Sequence, residues 1–157
     1  MALEANNARC AIDYFLAIEP IDREKIGMMG LSYGGFYTLY LSAAEPRVKS
    51  AFVSCSLYDR FKDPAKRCRP DLYWQDSAYK FGEAEVAALI APRALYFESG
   101  AADEAYPYAQ ARKEFERLVP YYEAVGAADK LLLHRSAGGH EIADGDVGFN
   151  FFANHLR

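Results

Sequence analysis

Ser32 stands in Gly30-Leu31-Ser32-Tyr33-Gly34, the Gly-x-Ser-x-Gly spacing of a serine held at the tip of a sharp strand-to-helix turn. Such a turn lifts Oγ clear of the fold. The flanking glycines let the backbone fold tightly and the helix lie close to the strand. A serine hydroxyl is a weak nucleophile at neutral pH and needs a base to take its proton. The chain has three histidines. His134 falls inside the apolar stretch Leu131-Leu132-Leu133, where a satisfied strand histidine is expected. His155 falls in the last helical stretch, where solvent is expected around it. His140 follows Ser136-Ala137-Gly138-Gly139 in a loop and is the favoured base. An imidazole in that role needs a carboxylate to fix its tautomer and stabilise its charged form. Asp103, in Gly100-Ala101-Ala102-Asp103, is the first choice; Asp59 and Glu104 stay open. The chemistry of such a set is acyl transfer. The oxyanion it generates would take a hydrogen bond from the backbone N–H of Tyr33, the residue after the nucleophile.

These residues work together only if the fold brings them to one place. Lys25-Ile26-Gly27-Met28-Met29 reads as a buried parallel strand, and residues 35–44 as the helix after it, ended by Pro46. Further strands are expected at 48–55, 94–98 and 131–134. Helices are expected at 2–18, 83–90, 108–125 and 146–156. Pro120 should kink or split the third of these helices, and Gly126 should cap it. Strands alternating with helices predict an α/β fold, a parallel β-sheet with helices on both faces. Strand C-terminal ends then gather on one edge, where Ser32, Asp103 and His140 would meet.

An apolar fraction of 52% excludes a disordered chain, and 157 residues suffice for a single domain. A net charge of −4 argues against nucleic acid as a partner, and no apolar stretch is long enough to span a membrane. The N-terminus lacks the basic and apolar regions of a signal peptide, so a cytoplasmic location is the default expectation. Cys10, Cys55 and Cys68 have no metal-ligand spacing, and no metal or cofactor is expected. Residues 57–82 form an aromatic and basic stretch that reads as a cap-like insertion. In it, Tyr58 and Trp74 are candidates to line a substrate pocket.

The order Ser32, Asp103, His140 is the order of the α/β-hydrolases. The chain resembles the C-terminal half of such an enzyme, of the dienelactone-hydrolase and acetyl-xylan-esterase-like kind. The likeness rests on residues 21–35, on Ala91-Pro92-Arg93-Ala94-Leu95 with Gly100 and Asp103, and on Gly138-Gly139-His140-Glu141. The resemblance implies nucleophile Ser32, acid Asp103 and base His140, hydrolysing a small-molecule carboxylic ester without cofactor. Dienelactone hydrolases proper carry cysteine at the nucleophile, so Ser32 favours the esterase branch. The family's sheet holds more strands than this chain supplies. A truncated fold is therefore expected, with the N-terminal strands and the second oxyanion donor missing. An exposed sheet edge would then be covered by a second copy or an N-terminal partner. Two alternatives follow: an incomplete hydrolase with little activity alone, and a peptidase of the prolyl-oligopeptidase type.

Overall fold

The computed structural model describes residues 2–60, 80–143 and 146–157. The apolar runs pair as strands β1 (Ile26–Leu31), β2 (Val48–Ser54), β3 (Ala94–Gly100) and β4 (Leu131–Ser136). They form one parallel sheet in the order β1-β2-β3-β4. Helices α1 (Ala2–Ile18), α2 (Tyr33–Ala44), α3 (Glu83–Ala88), α4 (Tyr108–Ala124) and α5 (Asp146–Asn154) connect and cover them. The strands at the site run past the predicted apolar stretches, to Leu31, Gly100 and Ser136. In β3 and β4 ladder pairing continues beyond the last large apolar side chain, with Gly100 opposite Ser136.

The central strands β2 and β3 are buried almost throughout, as parallel strands covered on both faces must be. Ala51, Val53, Leu95 and Phe97 pack on one face with Leu39 of α2 and with Leu118 and Tyr122 of α4. Phe52 and Tyr96 alternate to the other face, where Phe149 of α5 meets Phe52 at 5.7 Å. A Cβ on Gly148 would lie 2.7 Å from the Phe52 ring, so glycine lets α5 sit against the sheet.

Of the kink or split expected at Pro120, the split does not occur: α4 runs through it as one helix. Pro120 lies on the solvent side, while Ala111, Leu118 and Tyr122 hold the helix on the sheet. Packing thus outweighs the missing N–H. Gly126 adopts φ 68° just after the helix, and the Ala127 N–H returns to the Tyr122 carbonyl at 2.9 Å, as a C-terminal cap requires. Of the stretch 57–82, the described residues 57–60 are buried. Arg60 donates from Nε to Glu83 Oε1 at 2.6 Å, and the Tyr58 N–H donates to Glu83 Oε2 at 2.8 Å. These bonds pin the chain after β2 onto α3. Among the described residues, no helix is long and apolar enough to cross a membrane.

Candidate active site

Each of the four strands ends at the same edge of the sheet, and each end delivers one reactive group: Ser32, Cys55, Asp103 and His140. Ser32 occupies the turn from β1 into α2 with φ 57° and ψ −116°, a conformation an L-residue holds only under constraint. Its N–H donates to the Ser54 carbonyl at 2.8 Å, and its own carbonyl accepts the Phe36 N–H at 2.9 Å. A Cβ on Gly30 would meet the Gly34 carbonyl at 2.4 Å, and one on Gly35 would meet the Ser54 carbonyl at 2.7 Å. Both glycines are needed for the turn to close. The Tyr33 N–H opens α2 beside the serine, at the positive end of the helix dipole.

Asp103 follows β3 with its side chain fully buried. Its Oδ1 accepts the N–H groups of Ala105 at 2.8 Å and Tyr106 at 2.9 Å. Its Oδ2 lies 2.8 Å from His140 Nδ1. Burial opposes the charge, yet the Tyr106 N–H and the His140 ring hold the carboxyl below the usual aspartate range. The carboxylate is therefore ionised at neutral pH and can only accept. Nδ1 of His140 is therefore the donor in this contact. The imidazole stacks on Tyr106, centroids 5.5 Å apart and planes 16° apart. Its side chain is 34% exposed, so one face of the base is open to a reactant.

The loop carrying His140 is tied down on both sides. Ala101 N–H bonds the Ser136 carbonyl and Ala102 N–H the Gly138 carbonyl, each at 2.9 Å. A Cβ on Gly100 would lie 2.0 Å from the Gly139 carbonyl oxygen, so only glycine allows this approach. Beyond His140, the Ala143 N–H donates to buried Glu98 Oε1 at 2.7 Å, and Ser54 Oγ donates to Glu98 Oε1 and to the Glu141 carbonyl. Cys55, with φ 49°, donates from Sγ toward the Glu141 carbonyl at 3.4 Å. Burial pushes its thiol up, so it stays protonated at neutral pH.

Asp103 and His140 are thus brought together as the sequence suggested, with Ser32 on the same edge. Among the described residues no hydrogen bond joins Ser32 Oγ to His140. Asp59 is buried but pairs with Lys113, and Glu104 is exposed, so neither takes the place of Asp103 on the imidazole. His134 bonds the Tyr96 hydroxyl at 3.0 Å, as a satisfied strand histidine. His155 is not the solvated residue expected: it is half-buried, donates from Nδ1 to the Phe151 carbonyl at 2.8 Å, and packs on the Phe151 ring. It lies just past the end of α5, in a turn that continues the helix, with its N–H bonded to the Phe151 carbonyl at 3.3 Å. Tyr58 is buried 6.1 Å from Tyr106, one ring removed from His140. Trp74 lies outside the described residues. Glu98, Cys55 and Tyr106 escaped the sequence reading. Glu98 did carry a signal, a carboxylate closing an otherwise buried strand, which must have partners inside.

No protein-family model matches the chain. Over 134 residues it is 31% identical to the Bacillus subtilis (strain 168) protein named "Putative hydrolase YtaP", covering 83% of this chain and 45% of that one. Among solved structures, Methylesterase BT1017 superposes with a TM-score of 0.80 at 28% identity, covering 97% of this chain and 34% of that one. A glucuronoyl esterase from Solibacter usitatus superposes with a TM-score of 0.78 at 20% identity, covering 97% and 47%. The chain spans less than half the length of these relatives. Its fold is the α/β-hydrolase fold, represented among the described residues by four parallel strands.

Proposed function

We propose that the site hydrolyses carboxylic esters through an acyl-enzyme on Ser32. The observation that carries this is the 2.8 Å contact of Asp103 Oδ2 with His140 Nδ1, which leaves Nε2 as the free basic nitrogen. Ser32 Oγ attacks the acyl carbon while Nε2 takes its proton. The developing imidazolium is stabilised by buried, ionised Asp103. The oxyanion receives the N–H of Tyr33 at the start of α2. The alcohol leaves with the proton from Nε2, and a water activated by the same nitrogen releases the acid. A hydrogen bond from Ser32 to His140 need not be in place before substrate arrives, because catalytic contacts are often long or misaligned in the free enzyme. The neighbours named as esterases favour esters over other acyl substrates.

Turnover of p-nitrophenyl acetate by the wild type and by Ser32→Ala tests the reading. The variant is expected to lose nearly all activity, and equal rates would end the proposal.

A second reading is favoured by one observation: among the described residues β1 is the sheet's first strand, with β2 on one side and no strand on the other, in a chain less than half as long as its relatives. In it, the unit reaches full rate only when another chain covers that edge and supplies the second oxyanion donor. Loss of one such donor costs about 10²–10³ in kcat. Specific activity that rises with protein concentration supports this reading; a constant value opposes it.

A further inference from the structure

The ester-hydrolase reading uses three of the four groups at the strand ends and leaves Cys55 without a role. Its thiol is 1% exposed and belongs to a residue in the left-handed region. Its N–H is fixed to the Glu98 carbonyl at 2.8 Å, so the strained backbone is held in place. Cys55 Sγ, an Asp103 carboxylate oxygen and a His140 ring nitrogen all lie within 4.8 Å of one another. A thiolate, an imidazole and a carboxylate form the mixed donor set that suits Zn²⁺ and poorly suits Mg²⁺ or Ca²⁺.

We propose that Cys55, Asp103 and His140 bind a Zn²⁺-type cation, and that its occupancy switches the site off. Small rotations of the three side chains bring their atoms to the usual ligand distances of about 2.0–2.3 Å. The ion enters from the side of His140, the one ligand open to solvent, and water completes its coordination. The thiol proton leaves to solvent. The proton on Nδ1 relocates to Nε2 through solvent, freeing Nδ1 for the metal. One proton is released per ion, and the donor set goes from one net negative charge to neutrality with the ion bound. The same tautomer change disables the base, since Nε2 then carries a proton and has no lone pair for Ser32. The sequence gives no spacing for such a site because each ligand comes from a different strand end.

Metal binding does not depend on the esterase reading, although the switch does. The test uses the full chain with Cys10→Ser and Cys68→Ser, leaving Cys55 as its thiol. Titration with Co²⁺ is expected to give one equivalent with thiolate-to-metal charge-transfer absorption. Each Co²⁺ bound releases one proton, Zn²⁺ then displaces Co²⁺ and removes the band with no further proton released, and Mg²⁺ does not. Adding Cys55→Ser should abolish the band and weaken Zn²⁺ binding by about tenfold or more. No band in the parent protein, or an unchanged band after Cys55→Ser, overturns the site. If the serine variant does not fold, X-ray absorption of the Zn²⁺-loaded parent decides: one sulfur at about 2.3 Å supports the site, and its absence refutes it. Zn²⁺ should slow ester turnover by the parent at concentrations that leave Cys55→Ser unaffected. Equal inhibition of both overturns the switch. Metal binding by a parent that turns over no ester supports the site and counts against ester hydrolysis by this chain alone.

Discussion

At the scale of single residues, the site depends on a charge kept where burial opposes it. Three donors reach Asp103, two backbone N–H groups and the His140 ring. Against the desolvation of burial, the Tyr106 N–H and the His140 ring hold its carboxyl below the ordinary 3.8. A carboxyl lowered on folding stabilises the protein above its unfolded pKa, and that contribution is lost as pH falls through the lowered folded value. Asp103→Asn removes this dependence. Urea midpoints taken from pH 6 downward should therefore show the wild type losing more stability than the variant below about pH 4. On p-nitrophenyl acetate the same variant should lose about 10³–10⁴ in kcat with little change in KM, because an amide favours the wrong imidazole tautomer. Retention of wild-type kcat would remove Asp103 from the mechanism. Ser32, Asp103 and His140 were legible in the sequence because each lies in a short glycine-bearing segment next to a readable strand. Cys55 and Tyr106 were not, since their contacts join strand ends far apart in sequence. Local spacing holds no record of such neighbours.

At the scale of elements, the position of His140 depends on how closely the turn after β3 meets the loop after β4. Gly100 sits at that crossing, where a methyl group would lie 2.0 Å from the Gly139 carbonyl oxygen. Gly100→Ala must push the loop outward and strain the hydrogen bonds from Ala101 and Ala102. Overpacking of this kind costs about 1–3 kcal/mol, readable as a shifted denaturation midpoint. A catalytic base displaced by about 1 Å lowers turnover by about 10²-fold. Unchanged kinetics in a folded Gly100→Ala protein would mean that this approach does not set the base. The strands, their parallel pairing and most helices could be read from apolar runs punctuated by Pro and Gly. The strand ends could not. Ladder bonds carry β3 to Gly100 and β4 to Ser136, where side chains no longer mark a strand. Pro120 does not split α4 for a related reason: propensity describes the helix alone, whereas its buried side chains hold it on the sheet.

At the scale of the whole molecule, the central strands are covered on both faces, while among the described residues no strand pairs with the outer edge of β1. Met29 is 41% exposed on β1. An apolar groove of about 380 Å³ runs beside the strand, lined by Ala11, Phe15 and Ile21 together with Ile26 and Met28. On α1, Leu3, Tyr14, Phe15 and Ile18 are exposed as well. A strand edge with free pairing groups and apolar flanks is a template for another chain. We therefore expect copies of this chain to associate through β1. Sedimentation velocity over a range of concentrations should show the wild type growing beyond a monomer. Met29→Lys, which sets a charge beside the edge, should hold it monomeric. Equal sedimentation of the two proteins at every concentration would place association elsewhere or remove it. Ester turnover per chain, measured on the same samples, links the edge to the site. β1 ends at Leu31, one residue before Ser32, so whatever steadies the strand steadies the turn that strains the serine. Turnover that rises with association in the wild type and stays low in Met29→Lys would show that the covered edge belongs to the working site.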